Sequence, residues 1–212
     1  MAAPEKTPTS PDAHRALPDK KAVEAAGELL IKDEKGNEIA FKSLYSDKPA
    51  DERQLIVFVR HFFCGSCELY AQALARDLPV EALAANKITL TIIGCGEPIC
   101  IADWRKRTGC PYPPHTEPKH RLQDTLGPPN PPRAMPDKFP EYHSKSLFQV
   151  IKDSTWHALS SGPKKALSGG PASQQGGEWL FQNGEVKFVH RMRNSADHVD
   201  TKELKMVLEI NE

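Results

Sequence analysis

No stretch of the chain approaches the ~20 consecutive apolar residues that a membrane-crossing helix needs, and the opening Met1-Ala2-Ala3-Pro4-Glu5-Lys6 lacks the apolar core of a secretion signal. The expectation is a soluble, cytoplasmic protein with no membrane role. Neither sign of charge is in excess, because Lys plus Arg and Asp plus Glu each number 28. Composition therefore forces no basic face, and no nucleic-acid partner is expected. No second C-x-x-C accompanies Cys64-Gly65-Ser66-Cys67, since Cys95 and Cys100 are spaced differently. A metal site would want that further pair, so neither metal nor other cofactor is expected. Internal repeats are absent too, and 212 residues suit one core with extensions.

The chain does contain many prolines, 19 of them, most within the first twenty residues and between Pro111 and Pro140. Residues 1–22 read as a disordered tail with nothing to bury. Residues 23–212 then form one domain, with an insertion at about 127–173. Glu28 to Ile31 and Glu38 to Phe41 flank a glycine-containing turn and predict a hairpin. Gln54 to Val59 is a continuous β-branched and aromatic run, as in a strand buried on both faces. Leu69, Ala73, Leu74 and Leu78 recur at helical spacing, so a helix starts just after Cys64. Val80 to Ala85 reads as helical and Lys87 to Gly94 as a second buried strand, closing a right-handed parallel unit. Further helices are predicted over Pro98–Arg107, Lys119–Leu126, Leu147–Leu159 and Thr201–Ile210. Asn183-Gly184 signals a hairpin between Glu178–Phe181 and Val186–His190. The fold class is α/β: a central mixed sheet flanked by helices, with an N-terminal hairpin and a helical insertion.

Cys64 and Cys67 fall where a strand hands over to a helix. Unpaired backbone N–H groups at a helix start favour negative charge on the first sulfur, and a thiolate is the nucleophile of disulfide exchange and peroxide reduction. Cys64 is thus the attacking thiol and Cys67 its resolving partner, provided that Cys64 is reachable and lies within bonding distance of Cys67. Arg60 and His61 just upstream add positive field.

The segment Phe58-Val59-Arg60-His61-Phe62-Phe63-Cys64-Gly65-Ser66-Cys67 resembles the active-site stretch of peroxiredoxin-like members of the alkyl hydroperoxide reductase and thiol-specific antioxidant family. A second block, Gly176-Gly177-Glu178-Trp179 through Phe188-Val189-His190-Arg191-Met192-Arg193-Asn194-Ser195-Ala196-Asp197-His198, resembles the C-terminal signature of that group, particularly its fungal proteins. The resemblance implies a thioredoxin-like fold and reduction of peroxides or disulfides. It also implies regeneration by a cellular thiol such as thioredoxin or glutathione. The chain departs from the family at two places. In Pro-x-x-x-Thr/Ser-x-x-Cys ending on Cys64, Val57 and His61 stand at the Pro and Thr/Ser positions; ending on Cys67, Arg60 and Cys64 do. Where thioredoxins carry a cis-proline, the chain offers Gln175-Gly176-Gly177, whose glycines let a ligand backbone approach. A different class of function stays open beside the enzyme: a thioredoxin-like scaffold recruited for a small-molecule biosynthetic step or for binding.

His190, Arg191, Arg193, Asp197 and His198 form a polar cluster after the final strand, where α/β sheets build sites. They bind an anionic substrate, or else Asp197 pairs locally with an arginine as a structural device. Cys95, Cys100 and Cys110 read as buried thiols, although Cys100 or Cys110 brought close by a loop could resolve an oxidised Cys64. The insertion is a lid over the cysteine site or a contact between two copies in a homodimer, with plain packing surface as the alternative. Trp156, spaced helically with Phe148 and Leu159, reads as core.

Overall fold

The run from Gln54 onward forms the middle of the sheet because nearly every residue in it can be buried. In the computed structural model, which describes residues 13–126 and 139–210, this is strand β3. The elements in chain order are α1 (Lys20–Gly27), β1 (Leu30–Lys32), β2 (Glu38–Ala40), β3 (Arg53–Phe58), α2 (Gly65–Asp77), α3 (Val80–Ala85), β4 (Ile88–Gly94), α4 (Ile101–Thr108), β5 (Pro114–Thr116), α5 (Arg121–Leu126), α6 (Leu147–Ser160), α7 (Pro163–Ala166), β6 (Gly177–Gln182), β7 (Glu185–Arg191) and α8 (Thr201–Val207). One seven-stranded sheet runs in the order β2-β1-β5-β4-β3-β6-β7. β3 is parallel to β4 and antiparallel to β6, so the sheet is mixed.

Alternation along the strands makes two layers of core. Leu55 and Val57 of β3, with Leu90 and Ile92 of β4, face a cluster built with Leu74 of α2, Trp104 of α4 and Leu204 of α8. Ile56 and Phe58 face the other way, toward Phe41, Leu122, Phe181 and Ala26. Helices therefore cover both faces, and the predicted hairpin of β1 and β2 forms one sheet edge.

Several elements differ from the sequence reading. Residues 13–22 are not free of the body. Asp19 caps α1, Arg15 pairs with Glu203, and Arg191 N–H donates to His14 O. Residues 1–12 of the expected tail and 127–138 of the expected insertion lie outside the described residues. β5 falls in the proline-rich stretch between the helices predicted over Pro98–Arg107 and Lys119–Leu126, where no strand is predicted; Pro114 opens it, where a strand tolerates a missing N–H. The helical reading near Leu147 holds for α6, but its core assignment is corrected. Phe148, Trp156 and Leu159 are 76%, 67% and 70% exposed. The inward stripe is instead Val150, Ser154 and His157, which touch or line the start of α2, and the large apolar side chains point away from it. Among the described residues no helix is long and apolar enough to cross a membrane.

Candidate active site

β3 delivers the chain to Arg60, and α2 starts immediately after Cys64. Cys64 is the N-cap of α2, with extended backbone, and its sulfur accepts the Cys67 N–H at 3.4 Å. Sulfur thus takes the position that a Ser or Asp oxygen usually holds, where negative charge meets unsatisfied amide donors. Arg60 Nη1 lies 3.5 Å from Cys64 Sγ, and Arg60 N–H donates to Cys67 Sγ at 3.4 Å. The remaining guanidinium donors are fixed by loop carbonyls: Nε donates to Gln174 O at 2.9 Å and Nη2 to Ala172 O. Arg60 is therefore aimed, with one arm of the guanidinium left for the thiol.

The two sulfurs are driven apart in acidity. The neighbouring Cys67 thiol, helped by the positive charge of His61 and Arg60 and by the Cys67 amide, holds Cys64 well below the ordinary thiol range against the opposing effect of burial. Burial, together with the Cys64 thiol and its charge, pushes Cys67 well above that range. Burial and the nearby Arg60 lower His61, against the opposing pull of Cys64. The pair thus sets a thiol of lowered pKa beside one of raised pKa, and no disulfide joins them. The open thiol expected from the sequence is not what the fold presents, since Cys64 is 5% exposed and Cys67 0%.

Other sequence candidates sit in framework roles. A Cβ on Gly176 would lie 2.0 Å from Phe58 O, and one on Gly177 2.0 Å from His190 O. The close approach these glycines permit is to the protein's own strands, and no ligand backbone can use that space. Buried His190 contacts Asp197 O, Arg191 donates to Ala16 O and Leu126 O, and Arg193 forms a two-armed pair with Asp197. The cluster after the last strand thus stitches local structure, which is the structural alternative read from the sequence. Cys95, Cys100 and Cys110 are all buried; the Cys95 thiol donates to Arg60 O at 2.7 Å, and burial pushes it up to about 12.

Sequence reasoning missed two arrangements of residues. Beneath α2, Glu178 and His198 form a 2.6 Å pair with both side chains 0% exposed. The His198 ring stacks on Tyr70 at 4.2 Å, and the His198 N–H donates to the Tyr142 hydroxyl. A charge set against Trp179-Leu180-Phe181 in a strand was the available signal for Glu178. Over the first turn of α2 lie His143, Val150, Ser154 and His157 of the insertion; the sequence reading offered that insertion as a lid over the cysteine site without singling out these residues. Among the described residues no cluster suited to a metal ion occurs.

A sequence profile described as AhpC/TSA antioxidant enzyme matches residues 73–194. Peroxiredoxin-like 2C of Mus musculus is 30% identical over 174 residues, covering 82% of this chain and 74% of its own. The chain belongs to the AhpC/TSA antioxidant enzyme family. Peroxiredoxin-like 2C of Homo sapiens is 29% identical over 191 residues, covering 90% of this chain and 80% of its own. Among solved structures, the Xanthomonas campestris bacterioferritin comigratory protein, described for alkyl peroxide reduction, superposes with a TM-score of 0.55 at 10% identity, covering 93% of this chain and 98% of its own. A peroxiredoxin-like protein from Aquifex aeolicus gives 0.54 at 11% identity, covering 91% and 85%. These likenesses establish the thioredoxin-like peroxiredoxin fold. Membership in the AhpC/TSA family carries a thiol-dependent redox role in general terms. The profile match begins beyond Cys67, so the part played by the cysteine pair rests on the geometry of the site.

Proposed function

We propose that the protein is a thiol-dependent oxidoreductase that reduces peroxides, or disulfides, through Cys64 and Cys67. The observation that carries this reading is the Cys64 sulfur capping α2 under an aimed guanidinium, with the Cys67 amide donating to it. Cys64 thiolate attacks the terminal oxygen of a hydroperoxide. The O–O bond breaks, an S–O bond forms, and the departing alkoxide takes a proton to leave as alcohol. Arg60 lies where it can stabilise both the thiolate and the charge that grows on oxygen, a task that the family's Thr/Ser shares; His61 stands at that position when the pattern is ended on Cys64. Cys67 then displaces hydroxide from the Cys64 sulfenic acid; its thiol proton and the hydroxide leave as water and the disulfide forms. Two equivalents of glutathione, or one of the dithiol thioredoxin, in a cytoplasmic setting, restore the dithiol and leave as the corresponding disulfide.

The test is turnover of hydrogen peroxide or an alkyl hydroperoxide with a dithiol reductant. Replacement Cys64→Ser is expected to abolish it, while Cys67→Ser leaves a single oxidation that cannot be resolved internally. Turnover that survives both replacements would point to a recruited scaffold, and loss of insulin disulfide reduction with hydroperoxide turnover unaffected would leave only the disulfide reductase.

A further inference from the structure

Gly65, Ser66 and Glu68, in the opening turn of α2, are each tied to one segment, residues 143–157. Gly65 N–H donates to Ser154 Oγ at 3.0 Å, so the first free amide of α2 is satisfied from α6 and not by solvent. His143 Nδ1–H donates to the Lys145 carbonyl at 3.0 Å, which leaves Nε2 to accept the Ser66 hydroxyl at 3.1 Å. Burial lowers His143 and so favours this neutral arrangement. Glu68 Oε2 approaches His157 Nδ1 at 3.3 Å, while its other oxygen is held by Arg107 Nε at 2.8 Å. The seam is also sterically closed: a Cβ on Gly65 would lie 2.6 Å from Ser154 Oγ and 2.7 Å from Val150 Cγ1. Glycine is the residue that lets α6 sit directly on the turn that carries the thiol.

We propose that residues 143–157 are a strap that sets the size of what reaches Cys64, admitting small hydroperoxides and excluding the disulfides of folded proteins while closed. This rests on the reading of Cys64 as the attacking thiol and narrows its substrate class. A cavity of about 240 Å³ runs along the seam, lined by Gly65, Glu68, Arg107, Lys145, Val150 and His157. Its lining reaches Gly65, the residue next to Cys64, while the Cys64 sulfur lies outside it and is 5% exposed; one water takes up roughly 30 Å³ of liquid volume, so hydrogen peroxide or a short alkyl hydroperoxide fits beside the turn that carries the thiol. A protein disulfide, which must bring a stretch of its own backbone to the sulfur, does not. The strap is also built to be displaced. Its ties are polar, its helix buries Val150, and its large apolar side chains Phe148, Trp156 and Leu159 stay outside. Segments with few buried apolar contacts are those that open locally at small cost.

The experiment uses the full reduced chain and reads alkylation at Cys64 by peptide mass mapping. One reagent is iodoacetamide and the other a maleimide carried on a long polyethylene glycol chain, each normalised to its rate with the urea-unfolded protein. The bulky reagent is expected to be slowed at least tenfold more than the small one. The double variant His143→Ala/Ser154→Ala is expected to restore roughly tenfold of the bulky rate, the scale of two lost neutral hydrogen bonds. It should also raise reduction of insulin relative to hydrogen peroxide. Val150→Ala, which loosens the same seam sterically, provides the same reading if the double variant does not fold. Equal slowing of both reagents in the wild type, or bulky rates unchanged in the loosened variants, overturns the strap. Alkylation needs only a reachable thiol, so the strap stands or falls here independently of whether Cys64→Ser abolishes turnover.

Discussion

Helices α2 and α6 meet at Gly65 and are held in place by opposite means. α2 turns Cys67, Leu69, Tyr70, Ala73 and Leu74 into the core, whereas α6 turns Val150 inward and leaves Phe148, Trp156 and Leu159 in solvent. Each begins with a good cap: the Cys64 sulfur on α2, and on α6 a capping box in which Ser146 and Gln149 exchange bonds. The difference therefore lies in burial and not in local helix signals. Burial fixes the helix that carries the thiol, while caps and polar ties fix the helix that covers it. Opening free energy follows buried apolar contact, so the cover can leave while the thiol turn stays folded.

The largest expected effect lies in the floor beneath α2. Glu178→Ala leaves fully buried His198 without its carboxylate, and removing one partner of a buried pair costs about 3–5 kcal/mol. Urea unfolding of the reduced protein measures it, and a loss below about 1 kcal/mol, the scale of an exposed pair, would show the pair to be replaceable. Leu74→Ala comes next, because Leu74 is fully buried in the same layer and such truncations cost about 2–5 kcal/mol.

A third effect depends on pH and sharpens the contrast between the two sulfurs at the head of α2. Cys64 is held below its unfolded value of about 8.5, so the folded chain gives up this proton first. Its stabilisation is present above that pH and is lost as pH falls through the folded value. Cys67 acts in reverse: burial keeps its proton on, and its contribution is lost as pH rises toward its folded value. The stability difference between wild type and Cys64→Ser should therefore grow as pH rises toward about 8.5. A difference flat with pH, measured by urea midpoints under reducing conditions, would remove the thiolate from the argument.

The contrast between the helices also separates what the sequence announces from what it hides. β3 and α2 are legible because both are paid in apolar side chains: Leu55-Ile56-Val57-Phe58 can only be a strand covered on both faces, and Leu69, Ala73 and Leu74 mark one helical side. α6 is legible as a helix and misleading as a surface. Its apolar residues recur at helical spacing as a core stripe does, but the inward line is Val150, Ser154 and His157. β5 escapes notice because Pro113 and Pro114 carry no N–H, although the Pro113 carbonyl still accepts from Ile92 N–H. The cysteine pair and Arg60 are legible because chemistry and sequence neighbourhood coincide. Ser66–His143 and Gly65–Ser154 are not, since their members are brought together by tertiary structure alone.

A smaller effect tests the cap of α6. Ser146→Ala removes the side chain that accepts the Gln149 N–H and should cost about 0.5–2 kcal/mol locally. If α6 opens independently, hydrogen exchange of its amides accelerates while the urea midpoint of the whole domain hardly moves. Equal acceleration in α2 would instead make the two helices one cooperative unit.

The smallest effect bears on the outer face of the strap. Trp156 is one of the largest side chains in the protein, and truncation of a tryptophan in a core costs about 3–5 kcal/mol. Here it is two-thirds exposed and lies beside Lys152, Thr155 and Leu159, so little apolar surface returns to water when it is removed. Trp156→Gln keeps good helix propensity and should shift stability by no more than about 0.5 kcal/mol. Its ring points away from Val150 and Ser154, so alkylation of Cys64 by the small reagent should not change either. A loss of 3 kcal/mol or so would mean that α6 is packed as α2 is, against apolar surface, and the division between a buried carrier and a loosely tied cover would fail.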